Sequence, residues 1–260
     1  MTPLSYTEST DKTAAVEQRA ATSAAPAAAS EVRARFGGLR MIFAVAGKDL
    51  RTEIRTKETI NAALAFAVVI LVMFSLAFDP SSDQVREIAG GLLWLVFMFA
   101  GALVLNRSFS RELTNDCLDA LIASPATGAQ LWAGKALANY VLLLAIEVVC
   151  LPVFGIFYNL TWLGQLPMLA LVLLLATWAM TIIGTTFSAM TVNLRLREIM
   201  LPTLLYPMLI PPIMGAVQLT STIIAGEPIG DNAIWFRLLI GYNIIFTLLS
   251  AALVEILLVG

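Results

Sequence analysis

A chain of 260 residues that is 59% hydrophobic and only 13% charged, with a mean hydropathy of +0.84, is not built like a soluble domain, which carries roughly a quarter charged residues. The formal net charge of −2 offers no footprint for nucleic acid, and the lack of any histidine removes the commonest metal and haem-iron ligand and the usual general base. Cys117 and Cys150 form no C-x-x-C pair and lie in different segments, so neither a disulfide nor a zinc site is expected.

Residues 1–34 are rich in Ala, Ser and Thr with scattered charges of both signs, and are expected to form a disordered tail ahead of a membrane domain at 35–260. No apolar stretch precedes the first span, so no cleaved leader is expected. Residues 38–57 read differently. Ile42, Phe43, Ala46, Leu50 and Ile54 share one side of a helical wheel, while Arg40, Lys48, Arg51 and Arg55 gather on a neighbouring arc. A basic amphipathic helix directly before a span reads as an elbow lying in the cytoplasmic interface. The alternative is a simple extension of the span, interrupted near Glu58-Thr59.

Six long apolar runs follow, at 60–78, 88–105, 136–157, 166–190, 200–217 and 236–259. Each is close to or above the roughly 20 residues that a helix needs to cross a bilayer core. The runs are continuous rather than alternating, so they predict helices and not barrel strands. Of the 16 Lys and Arg residues, nine precede the first run, three lie between the second and third, and two between the fourth and fifth. The other two, Arg86 and Arg237, fall on the opposite side. The excess of positive charge predicts that both termini and those two loops are cytoplasmic.

The longest cytoplasmic connection is 107–135. Phe109, Leu113, Cys117, Ala120 and Leu121 fall on one helical face and Arg111, Glu112, Asn115, Asp116 and Asp119 on the other, and Ser124-Pro125 stops the helix. An amphipathic helix placed there could present a rigid knob to a soluble partner, or could be an ordinary connector. Gly128–Lys135 leads into the third span. Its Gly134-Lys135 only superficially resembles a phosphate loop. Five residues separate the glycines instead of four, Ala136 stands where Ser or Thr would hold Mg²⁺, and no strand precedes it. We read a loop glycine and a lysine at the membrane border. No catalytic constellation is visible, so the chain is not expected to hydrolyse ATP by itself.

The third run carries Glu147 and Pro152. A carboxyl in the body of a span is costly and usually faces a cavity or a partner, so Glu147 is the candidate intramembrane polar site. The fifth run carries Pro202, Pro207, Pro211 and Pro212 and is not expected to be one straight helix. Residues 218–235, moderately apolar and on the outer side, are expected to form a short re-entrant or interfacial hairpin.

Several strings together resemble one family: Phe78-Asp79-Pro80, Leu105-Asn106-Arg107-Ser108-Phe109, Glu112 with Asn115-Asp116-Cys117-Leu118 up to Pro125, Gly134-Lys135, Glu147 with Leu151-Pro152-Val153-Phe154, and Asn193, Arg195 and Arg197-Glu198 up to Leu201-Pro202. They are similar to the haem exporter protein B family, the permease subunit of the cytochrome c maturation ABC transporter. The resemblance covers about residues 38–217. It implies an all-α bundle of six transmembrane helices with an amphipathic elbow helix, like ABC-2-type exporter permeases, in the bacterial inner membrane. It also implies a homodimer bound to a separate ABC ATPase subunit, beside a haem-handling membrane protein and, indirectly, a periplasmic haem chaperone. The ATPase contact would be the 107–135 loop, through Arg107, Phe109, Arg111, Glu112, Asp116 and Leu121. ATP and haem would be handled by the partner subunits, with no cofactor or metal bound directly here. Two other readings stand beside it: an ABC-2-type exporter permease for a lipid, glycan or drug, and a non-transporting membrane scaffold.

Overall fold

The computed structural model describes residues 37–78, 82–108, 127–158, 163–191, 197–228 and 230–259. The chain divides into residues 1–41, of which 37–41 are described and helical, and the body at residues 42–260. The expected tail at 1–34 lies outside the described residues. In the body, helix α1 covers residues 42–56. It is followed by α2 (Glu58–Ala77), α3 (Asp83–Arg107), α4 (Gly128–Phe157), α5 (Leu166–Thr191), α6 (Arg197–Ala225) and α7 (Ala233–Val259), with 3₁₀ turns at Leu163–Gln165 and Gly230–Asn232. The helices α2 to α7 are long and apolar enough to cross a membrane. The protein is a polytopic helical membrane bundle.

Side chains fix several helix starts. Ser82 caps α3 by accepting from the Val85 amide at 3.4 Å. Thr127 and Gln130 form a reciprocal capping box at the head of α4, with bonds of 3.2 and 3.3 Å. Helix α4 therefore begins eight residues before the apolar run at 136–157, and Gly128–Lys135 is helix rather than loop. Helix α2 starts after Lys57, the one non-glycine residue with positive φ (54°) among those described. Its amide donors at Thr59 and Ile60 are both taken by the Glu53 carboxylate, at 2.8 and 2.9 Å. The acidic group sits where a helix dipole favours it.

Helices α3 and α5 are the inner members: each packs on α4, on α6 and on the other. Gly101 of α3 receives Met180 of α5, and Gly184 of α5 receives Leu105 of α3, one turn further along both helices, so the two run parallel. Small residues allow such close approach inside a membrane, where lipid gives no hydrophobic drive for association. Three tryptophans each donate to a threonine on another helix: Trp94 to Thr220, Trp132 to Thr186 and Trp178 to Thr247, at 3.0–3.1 Å. Phe66, Val69, Met73 and Leu76 of α2, and Ile244, Ile245, Leu248 and Leu249 of α7, are exposed and apolar, as a lipid-facing surface would be.

Helix α6 is continuous through Pro202, Pro207, Pro211 and Pro212, while the hairpin expected at 218–235 is corrected. Proline at 212 removes the amide that would bond the Met208 carbonyl, and the Tyr242 hydroxyl of α7 donates to that carbonyl instead. Residues 218–225 continue α6, and α7 begins at Ala233, so 218–235 forms no hairpin of its own. A glycine with φ 73° ends α6: the Gly226 amide bonds the Ile223 carbonyl and the Glu227 amide bonds the Thr222 carbonyl.

Candidate functional site

Polar side chains collect at two levels. The first is the end of the bundle where α1, the start of α2, the end of α3 and the start of α4 meet. Lys135 is buried, 1% exposed. Its ammonium donates to Asp49 of α1 at 3.1 Å and to the Ser108 carbonyl at the end of α3 at 3.0 Å. One turn further along α4, the Asn139 amide donates to the Ser108 hydroxyl at 2.8 Å and to Thr185 of α5 at 3.0 Å. Arg107 pairs with Glu58 at the start of α2. Both members of that pair are substantially exposed, so it contributes at most about 1 kcal/mol.

The approach of α1 to α4 depends on Gly134. A Cβ there would stand 2.7 Å from the Val45 Cβ and 2.8 Å from the Ile42 carbonyl oxygen, both on α1. Helix α1 is three-sided as a result. Val45, Ala46 and Glu53 are buried, Phe43 and Ile54 are exposed and apolar, and Lys48, Arg51 and Arg55 are exposed and basic. The expected apolar side is thus split: Ala46 turns inward while Phe43 and Ile54 turn out.

The second level lies along the α4–α5 contact. Glu147 is 2% exposed. Its Oε1 accepts from the Thr177 hydroxyl at 2.6 Å, and its Oε2 has no hydrogen-bond partner among the described residues. Asn139 opposite Thr185 and Glu147 opposite Thr177 share one antiparallel register, with the buried Thr181 between them on α5. Eight residues separate the two polar pairs along α4, about 12 Å of helix rise. Glu147 faces a neighbouring helix of its own chain, not lipid.

Of the sequence-derived coupling residues, Arg107 is described and sits at the polar junction. Phe109, Arg111, Glu112, Asp116 and Leu121 lie outside the described residues. The described chain stops at Ser108, beside Lys135, and resumes at Thr127, eight residues before Lys135 on α4. Sequence reading missed Asp49, Glu53, Lys135, Asn139 and Thr177. The sequence places Lys135 at the membrane border; the start of α4 at Gly128 makes it a helical residue buried against its neighbours. The available signals were the Thr127-x-x-Gln130 box and the four-residue spacing of Thr177, Thr181 and Thr185.

The CcmB protein family matches residues 40–256. The chain belongs to the CcmB family. Among CcmB relatives, the haem exporter protein B of Rhodobacter capsulatus is 30% identical over 176 residues, 68% of this chain and 80% of that one. That of Pseudomonas aeruginosa is 29% identical over 182 residues, 70% and 80% of the two chains. That of Paracoccus denitrificans is 29% identical over 171 residues, 66% and 78%. The CcmB match begins just before α1 and takes in all six membrane-length helices, the polar junction and Glu147.

Proposed function

We propose that this chain is the permease subunit of an ABC-type haem exporter serving cytochrome c maturation, and that it transmits ATP-driven movement instead of catalysing a reaction itself. The observation that carries the reading is the family match over residues 40–256, whose relatives are named haem exporters. A separate ATPase subunit supplies hydrolysis and docks on the 107–135 segment. A second copy of the chain completes the permease, and a haem-handling membrane protein stands beside it and passes haem to a periplasmic chaperone. The work done is release of the loaded chaperone. The assembly lies in the bacterial inner membrane with both termini in the cytoplasm, which the charge distribution of the sequence supports.

Haem is cargo of the complex in this reading. No histidine is available to hold its iron, and Asn139 and Glu147 are each engaged with a threonine of α5. The polar junction supports the reading mechanically: it ties Ser108, where the described chain stops before the 109–126 segment, to Lys135 and Asn139 of α4. Reversing Glu112 and Asp116 together to Lys tests it. The double variant is expected to insert normally but to lose ATPase co-purification or stimulated hydrolysis. Normal values for both would remove the segment from the ATPase contact.

A further inference from the structure

An ammonium group buried to 1% is costly unless it stays paired and hydrogen-bonded. The partners of Lys135 include one on α1, Asp49, and one at the end of α3, the Ser108 carbonyl. Pulling α1 away from α4 would break the Asp49 bond of this buried group. Gly134, the preceding residue, removes the side chain on which α1 could ride away from α4. At its other end, α1 is tied to α2 through the Glu53 carboxylate, which spans the left-handed residue Lys57 to reach the Thr59 and Ile60 amides. Two faces of α1 are exposed, one apolar and one basic, so its attachments to the described bundle run through the third face.

We infer that Lys135 is a positioning residue that latches α1 to the stem of the 107–135 segment. A displacement of that segment then moves α1 first, and Glu53 carries the movement across Lys57 into α2. This rests on the reading of 107–135 as the ATPase contact. The latch itself stands on geometry alone and can be tested separately from that reading.

The test uses the full chain assembled with its ATPase. Lys135→Met keeps the length of the side chain and removes its charge, and Asp49→Asn changes the partly exposed partner. Two quantities are measured: amide hydrogen exchange over residues 42–56, and haem delivered per ATP hydrolysed at equal amounts of assembled complex. Lys135→Met is expected to speed exchange in α1 about tenfold and to lower the delivery ratio several-fold, with Asp49→Asn giving smaller changes in the same directions. Unchanged exchange overturns the latch. Faster exchange with an unchanged delivery ratio overturns α1 as the transmitting element. If Lys135→Met fails to assemble, Asp49→Asn decides by the same criteria. If the wild-type complex delivers no haem in an ATP-dependent way, the transmission claim falls with the functional reading, while the exchange result still judges the latch.

Discussion

Glu147 takes one hydrogen bond from Thr177 and is sealed between α4 and α5. Its role follows from polarity more than from charge. Glu147→Gln keeps an acceptor for the Thr177 hydroxyl and is expected to be mild, whereas Glu147→Leu strands that hydroxyl at a cost of about 1–3 kcal/mol. Thermal unfolding in detergent and the yield of assembled complex are the readouts. If Gln is as damaging as Leu, ionisation is required and the polar-anchor account fails. Tyr242 gives a second case. Its hydroxyl serves the Met208 carbonyl, so Tyr242→Phe should destabilise by about 1 kcal/mol. The same change should cost much less beside Pro212→Ala, which restores an amide donor to that carbonyl; equal costs in both backgrounds would refute the pairing. Glu147 was legible in the sequence because a carboxyl inside an apolar run has no trivial explanation. Lys135 was not, because its burial depends on where α4 starts and on a helix more than eighty residues earlier. Thr177 beside Glu147 and Asp49 beside Lys135 lie on other helices, which composition cannot reveal.

At the scale of elements, all six spans were legible, since about 20 apolar residues leave few structural choices in a membrane. Boundaries fared less well. Helix α4 extends past its apolar run because the Thr127–Gln130 box, and not hydropathy, sets its start. Helix α6 runs through four prolines because carbonyls freed inside a bundle can find donors on a neighbour, as Met208 finds Tyr242. The amphipathic character of α1 was visible, but its division into a buried, an exposed apolar and an exposed basic face needed α4 in place. Gly134 makes that placement testable. Gly134→Leu should push α1 off α4 and raise protease sensitivity near Lys57, while Gly134→Ala should do so less. An unaltered cleavage pattern for Gly134→Leu would contradict the close packing.

For the whole molecule, topology is the first consequence. In a variant without native cysteines, single cysteines at Ser82 and Asp231 should be labelled from outside, and those at Ser124 and Asn193 only from inside. Labelling of position 124 from the outer face would overturn the orientation. Removing residues 1–34 should leave assembly and activity nearly unchanged, because their composition offers little apolar surface to bury and the family match begins at residue 40. A large loss of complex would identify that stretch as a docking arm. The central claim, that this CcmB-family chain drives haem delivery for cytochrome c maturation, is tested most directly by covalent haem staining of membranes from cells lacking the chain. The account predicts loss of c-type cytochromes with non-covalent haem proteins spared, restored by the wild-type chain but not by the Glu112→Lys, Asp116→Lys double variant. Normal c-type cytochromes in the depleted cells would contradict it.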